Sequence, residues 1–260
     1  MIRLLLVFVF ALAQAASAQT EAADMRDLLR SIHLDPAFRE NLRERGYTGE
    51  RFEVMIDHTR RLYADDGIIT GLQRKIDAGL RQTNNRPSPA FFRSLDQALE
   101  QANFSGLTRL SAAERQRVFA TDFGFINAIP VRECNRLVAG RLPPERAEKL
   151  FDTYLVQLTP QRIADYHALL RKATRLGLAR GAVPRALSAA DRRRAEEAIF
   201  PLIDDMIGKQ KNAKTLYRAW SRGPSGVSKH ACTFNRMFGA AALSLRGKSG
   251  ELAVLYLMSD

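Results

Sequence analysis

The sequence predicts an all-α protein, a compact bundle of antiparallel helices behind a cleaved leader. Three observations predict it. Apolar residues recur at the three- and four-residue spacing of a helix face along most of the chain, strand-like alternation is absent over any useful length, and several segments open on helix caps. The joints between segments are short, which favours antiparallel neighbours. At a mean helix length of about 11–12 residues, roughly nine to twelve helices are expected.

The elements follow in chain order. "MIRLLLVFVFALAQAASA", residues 1–18, has the layout of a secretory signal: Arg3, an apolar stretch from Leu4 to Leu12, and a small-residue cleavage site at Ala16-Ser17-Ala18. The apolar stretch is too short for a bilayer span, which needs ~20 residues. The mature chain is expected to begin at Gln19, in the periplasm or outside a bacterial cell, with no lipid anchor because no cysteine follows the site. Residues 19–260 read as one all-α domain; a subdomain boundary, if the chain has one, falls near 103–110.

Leu28, Leu29 and Ile32 open the helical pattern, followed by Phe52, Met55, Ile56, Leu62 and Tyr63, then Leu72, Ile76 and Leu80, then Phe91, Phe92, Leu95, Leu99 and Ala102. "LSAAERQRVF" makes Ser111 an N-cap with Glu114 three residues on, a capping box. Ala147, Leu150, Phe151, Tyr154, Leu155 and Leu158 form the clearest apolar stripe. Thr159 caps the next helix, with Pro160 at its first position, where a missing N–H costs nothing. Ser188 caps another, with Asp191 in the place of the usual Glu or Gln. Breaks are expected at 83–89, 140–144, 177–186 and 221–226. The run Leu252–Met258 is apolar on all sides and reads as a buried terminal helix, with a strand as the alternative.

Charge divides the chain unevenly. Residues 19–170 hold 22 basic and 21 acidic side chains, whereas residues 171–260 hold 17 and 7, a net of +10 in the basic C-terminal third. No acid stands between Asp205 and Glu251. If 209–222 is helical, Lys211, Lys214, Arg218 and Arg222 share one narrow stripe, opposite Ala213, Leu216 and Trp220, with Tyr217 at the border. A mixed-sign face would serve solubility, so the one-sided charge points to an anionic partner: lipid headgroups, lipopolysaccharide or an acidic protein. A merely solvated face is the alternative reading. Charge attraction of this kind implies no specific nucleic acid.

Cys134 and Cys232 are the only cysteines. Two thiols in an exported chain are expected to pair, since the compartment is oxidising. "VRECNRLV" and "ACTFNRMFGAAALSLRG" then form a Cys-bearing helix pair, Cys134 sharing an apolar face with Val131, Leu137 and Val138. Gly239, on the Cys232 side of its helix, leaves room for a close neighbour.

No catalytic motif is present. "RGKSGE" looks like the end of a phosphate-binding loop, but the glycine required five residues before Gly247 is Ala242. No GxSxG occurs. The four histidines, His33, His58, His167 and His230, have neither HExxH nor paired Cys/His spacing, so no metal and no cofactor are expected. His167 falls on the stripe of Ile163, Tyr166, Leu170 and Ala173 and reads as a hydrogen-bonded core histidine. Glu53, Asp57, Asp65 and Asp66 are the one carboxylate cluster that could act on a glycan, if they share a cleft. The leading expectation is a non-enzymatic envelope protein. A peptidoglycan-type hydrolase and a chaperone or inhibitor module for another exported protein are the alternatives.

Overall fold

The computed structural model describes residue 27 and residues 29–82, 89–223 and 227–259. The leader, its cleavage site and most of the 83–89 break lie outside them. Among the described residues every regular element is helical and none is a strand. The contacts divide the chain into two compact units. Of the described residues, one takes those up to Leu110 together with Asp152–Arg185; the other takes Ser111–Phe151 and those from Ala186 onward. The chain crosses between them after Leu110, inside a helix at Phe151, and after Arg185 in the joint 179–188.

In the N-terminal unit a 3₁₀ turn, Ile32–Leu34, leads into α1 (Pro36–Glu44), α2 (Gly49–Ala64), α3 (Asp66–Gln82) and α4 (Pro89–Leu107). Asp35 caps α1, its Oδ1 accepting from the N–H groups of Ala37 and Phe38 at 2.7 and 3.2 Å, with Pro36 at the first helical position. α8 (Pro160–Leu178) completes the unit, capped by Thr159 as its sequence indicates.

The crossing of α4 and α8 depends on small residues. A Cβ on Gly106 would stand 1.7 Å from the carbonyl oxygen of Ala173, and one on Gly177 would stand 1.6 Å from that of Ala102. Ala102 and Gly106 thus face Ala173 and Gly177 backbone to backbone. Between them Asn103 Nδ2 donates to Thr174 Oγ1 at 3.0 Å. Gly106→Ala or Gly177→Ala should therefore lower unfolding stability by about 1–3 kcal/mol through overpacking. The loss should appear although alanine improves helix propensity by about 1 kcal/mol. Urea unfolding of the two variants checks this, and a stabilised variant would contradict the close crossing.

The C-terminal unit holds α5 (Ala112–Ala128), α6 (Val131–Val138), α9 (Ala189–Gly208), α10 (Ala213–Ser221), α11 (Ala231–Ser244) and α12 (Gly247–Ser259). The division between units falls inside α7 (Pro144–Leu155). The capping box of Ser111 and Glu114 is present, and Ser188 accepts from the Asp191 N–H. α12 buries Leu252, Ala253, Val254, Leu255 and Met258 against α5, α9 and α11, so the apolar tail is a buried helix.

α11 is the hub of this unit. The Arg236 guanidinium donates to the carbonyls of Ile126 and Ile129 at 2.9 and 2.7 Å, closing the C-terminal end of α5. The Phe123 ring of α5 lies where a Gly239 side chain would be, 2.2 Å from an added Cβ. The close neighbour expected at Gly239 is therefore α5, whose phenyl ring fills the space.

Candidate functional site

The basic segment begins where α9 ends. Lys209 is the C-cap of α9, and the N–H groups of Gln210 and Ala213 bond back to Ile207 and Gln210, forming a turn before α10 starts. The helix is thus shorter than 209–222. Lys211 sits in the turn, Lys214 and Arg218 lie one turn apart on α10, and Arg222 is its C-cap, followed by Gly223 at φ 64°. All four cations are exposed, while Leu216 and Ala219 are buried. Of the expected stripe only Lys214 and Arg218 share a helix, with Lys211 and Arg222 in the flanking turns.

Aromatic packing sets the outward face. Trp220 is half-buried: it stacks on Phe234 at 5.6 Å between centroids, meets Phe200 edge-on at 5.6 Å and Phe238 at 5.8 Å. The Tyr217 hydroxyl donates to the Asp204 carbonyl of α9 at 3.0 Å. Burying the Trp220 side of a short helix leaves Lys214 and Arg218 facing water. Lys209 is bound to Asp205 at 2.5 Å, whereas Lys211, Lys214 and Arg218 form no ion pair among the described residues.

Cys134 of α6 and Cys232 of α11 stand at disulfide distance, their Cα atoms 5.4 Å apart, and both are fully buried. Asn135 Oδ1 accepts the Cys232 N–H at 2.9 Å, so α6 also caps the first turn of α11. The apolar face assigned to α6 is only partly realised: Leu137 and Val138 are half-buried and Val131 is 50% exposed. An eight-residue helix docked through one cysteine has no need to bury the rest.

The four carboxylates have separate tasks. Asp57 is bound by Arg60 and Arg61 at 2.5 and 2.6 Å. Partial burial pushes its carboxyl up, but the two guanidinium partners outweigh that and hold it below the usual range. Asp65 accepts from the Gly67 and Ile68 N–H groups at the start of α3. Exposed Asp66 meets Arg30, and Glu53 is exposed on α2.

Two sites escaped the sequence reading. Asp152 is buried under Arg45, whose Nε and a terminal nitrogen donate at 2.7 and 2.9 Å, and it accepts the Tyr47 hydroxyl at 2.8 Å. The buried side of α7 is accordingly Ala147, Phe151, Asp152 and Leu155, while Leu150 and Tyr154 of the expected stripe are half-buried. The second is a histidine pair: the rings of His58 on α2 and His167 on α8 lie 4.3 Å apart, tilted by 34°. His167 is a core residue as expected, but neither ring nitrogen has a hydrogen-bond partner. Burial first, then Arg45 and Arg171, lower its pKa to about 3; burial, His167 and Arg171 place His58 well below the usual range.

Among the described residues no group of three or more His, Cys, Asp or Glu side chains could hold a metal ion, and no helix is long and apolar enough to cross a membrane. No protein-family model, curated protein or solved structure matches the chain.

Proposed function

We propose that this is an exported, non-enzymatic helical protein that binds an anionic component of the cell envelope, a lipid headgroup or lipopolysaccharide phosphate, through Lys211, Lys214, Arg218 and Arg222. The observation that carries the reading is a group of exposed cations on an aromatic base, with Asp205 at the end of α9 already paired to Lys209. Lys211, Lys214 and Arg218 are exposed and make no ion pair among the described residues, and Trp220 seats their helix on Phe200, Phe234 and Phe238. The acid-free run from 206 to 250 supports it, as does the leader-like sequence of residues 1–18 for export. Because Trp220 is occupied by its aromatic neighbours, the contact is electrostatic and peripheral, with no inserted helix.

Binding to phosphatidylglycerol-containing vesicles across a salt series tests the reading. Each cation near such a surface contributes about 1 kcal/mol. Reversing all four to Glu should therefore weaken binding on the order of a thousandfold or more, and abolish its salt sensitivity. Thermal stability should change little, because these side chains face solvent. Equal binding by the reversed protein would leave the surface a solvated face only. A parallel series on purified acidic protein would show whether lipid is preferred.

A further inference from the structure

The N-terminal unit carries a feature that anion binding does not use. His58 and His167 bring two tilted imidazoles together across the contact of α2 with α8, with 5% and 0% of their surfaces exposed. We propose that this pair is an acid-sensitive seam, at which proton uptake parts α2 from α8 and opens the N-terminal unit.

The surroundings are arranged against an imidazolium. His167 has no acceptor at either ring nitrogen. The charges that act on the pair are Arg45, at the C-terminal end of α1, and Arg171, one turn on in α8. Arg45 is held by Asp152 of α7, with Tyr47 on the same carboxylate. From α2 come Asp57, already bound by Arg60 and Arg61, and Arg61 itself. From the start of α3 comes Asp65, which caps its own helix and approaches Arg175 of α8 at 3.7 Å. From α4, Asn103 is buried against Thr174 of α8, a polar pair that does not titrate. A proton arriving at the pair therefore meets a second imidazole and two guanidinium groups in a buried site.

The direction follows from linkage. An unfolded histidine takes its proton near pH ~6.5, whereas the folded pair resists it, so stability is intact above that value and is lost as pH falls below it. Each histidine contributes up to about a tenfold fall in the folding equilibrium per pH unit, the pair up to about a hundredfold. The Asp57 ion pairs act in a lower range, because that carboxyl is held below the ordinary carboxylate value. Histidine thus brings acid sensitivity to a site that an apolar side chain would leave indifferent to pH.

Hydrogen exchange by mass spectrometry on the full oxidised chain, corrected for intrinsic rates, from pH ~7.5 down to ~4.5 tests the seam. Opening of α2 and α8 should steepen to as much as about a hundredfold per pH unit below ~6.5, while α11 and α12 respond more weakly. His167→Phe should reduce the α2 and α8 slope to about tenfold. Histidine resonances of the wild-type chain give an answer that needs no variant: both rings should stay neutral until α2 and α8 lose protection. A ring that titrates near pH ~6.5 in the folded chain overturns the proposal. So does an α2 and α8 response no steeper than that of α11 and α12.

Discussion

Breaking the Cys134–Cys232 bond is expected to destabilise the oxidised protein by about 4–5 kcal/mol. The bond closes a loop of 98 residues, and in the chain-entropy model a loop of that length restricts the unfolded chain by about 4.7 kcal/mol. The folded side offers little to replace it. On α6 only Cys134 is buried, and the hydrogen bond from the Cys232 N–H to Asn135 is the other specific tie to α11. α11 also carries Phe234 and Phe238, the floor beneath Trp220, so a loosened α11 disturbs the basic surface as well. Trp220 is the only tryptophan, which makes its fluorescence a direct reporter of that packing. The comparison is guanidinium unfolding of wild type, with and without reductant, against Cys134→Ala/Cys232→Ala. Reduced wild type and the double variant should unfold together at lower denaturant, and the variant should ignore the reductant. A shift below about 1 kcal/mol would mean that the unfolded chain is already restricted across this loop.

Asp152→Ala should cost about 3–5 kcal/mol, because it leaves a partly buried guanidinium and a buried phenol without their acceptor. Asp152 is 3% exposed, Tyr47 is fully buried, and the Arg45 side chain is 19% exposed. Water therefore replaces little of what the carboxylate supplies. Asp152→Asn keeps an acceptor for Tyr47 while removing the charge, and should fall between the alanine variant and wild type. Asp57→Ala is the internal contrast. Its ion pairs with Arg60 and Arg61 are largely exposed, so the loss should stay within about 1 kcal/mol. Equal costs at Asp57 and Asp152 in urea unfolding would show that burial of the Arg45 pair is energetically unimportant.

What was legible in the sequence is local. Caps at Ser111, Thr159 and Ser188 act within three residues, and the apolar run Leu252–Met258 can only be a buried segment; each of these has its place in the structure. The Cys134–Cys232 pairing was legible because two cysteines allow one intrachain bond. The outward direction of Lys214 and Arg218 follows from the period of α10 alone. The remaining features depend on residues brought together from distant parts of the chain. Arg236 closes α5 from 110 residues away, Arg45 reaches Asp152 across 107, and Asn103 meets Thr174 across 71. A periodic pattern states that one side of a helix is buried, but not which neighbour covers it. It therefore could not show that Asp152 would be covered more fully than Leu150, that Gly106 and Gly177 would face each other's helix backbone, or that His167 would meet a second histidine instead of a hydrogen-bond partner. Packing decided those, because burial is a property of two surfaces and the sequence of one helix describes only its own.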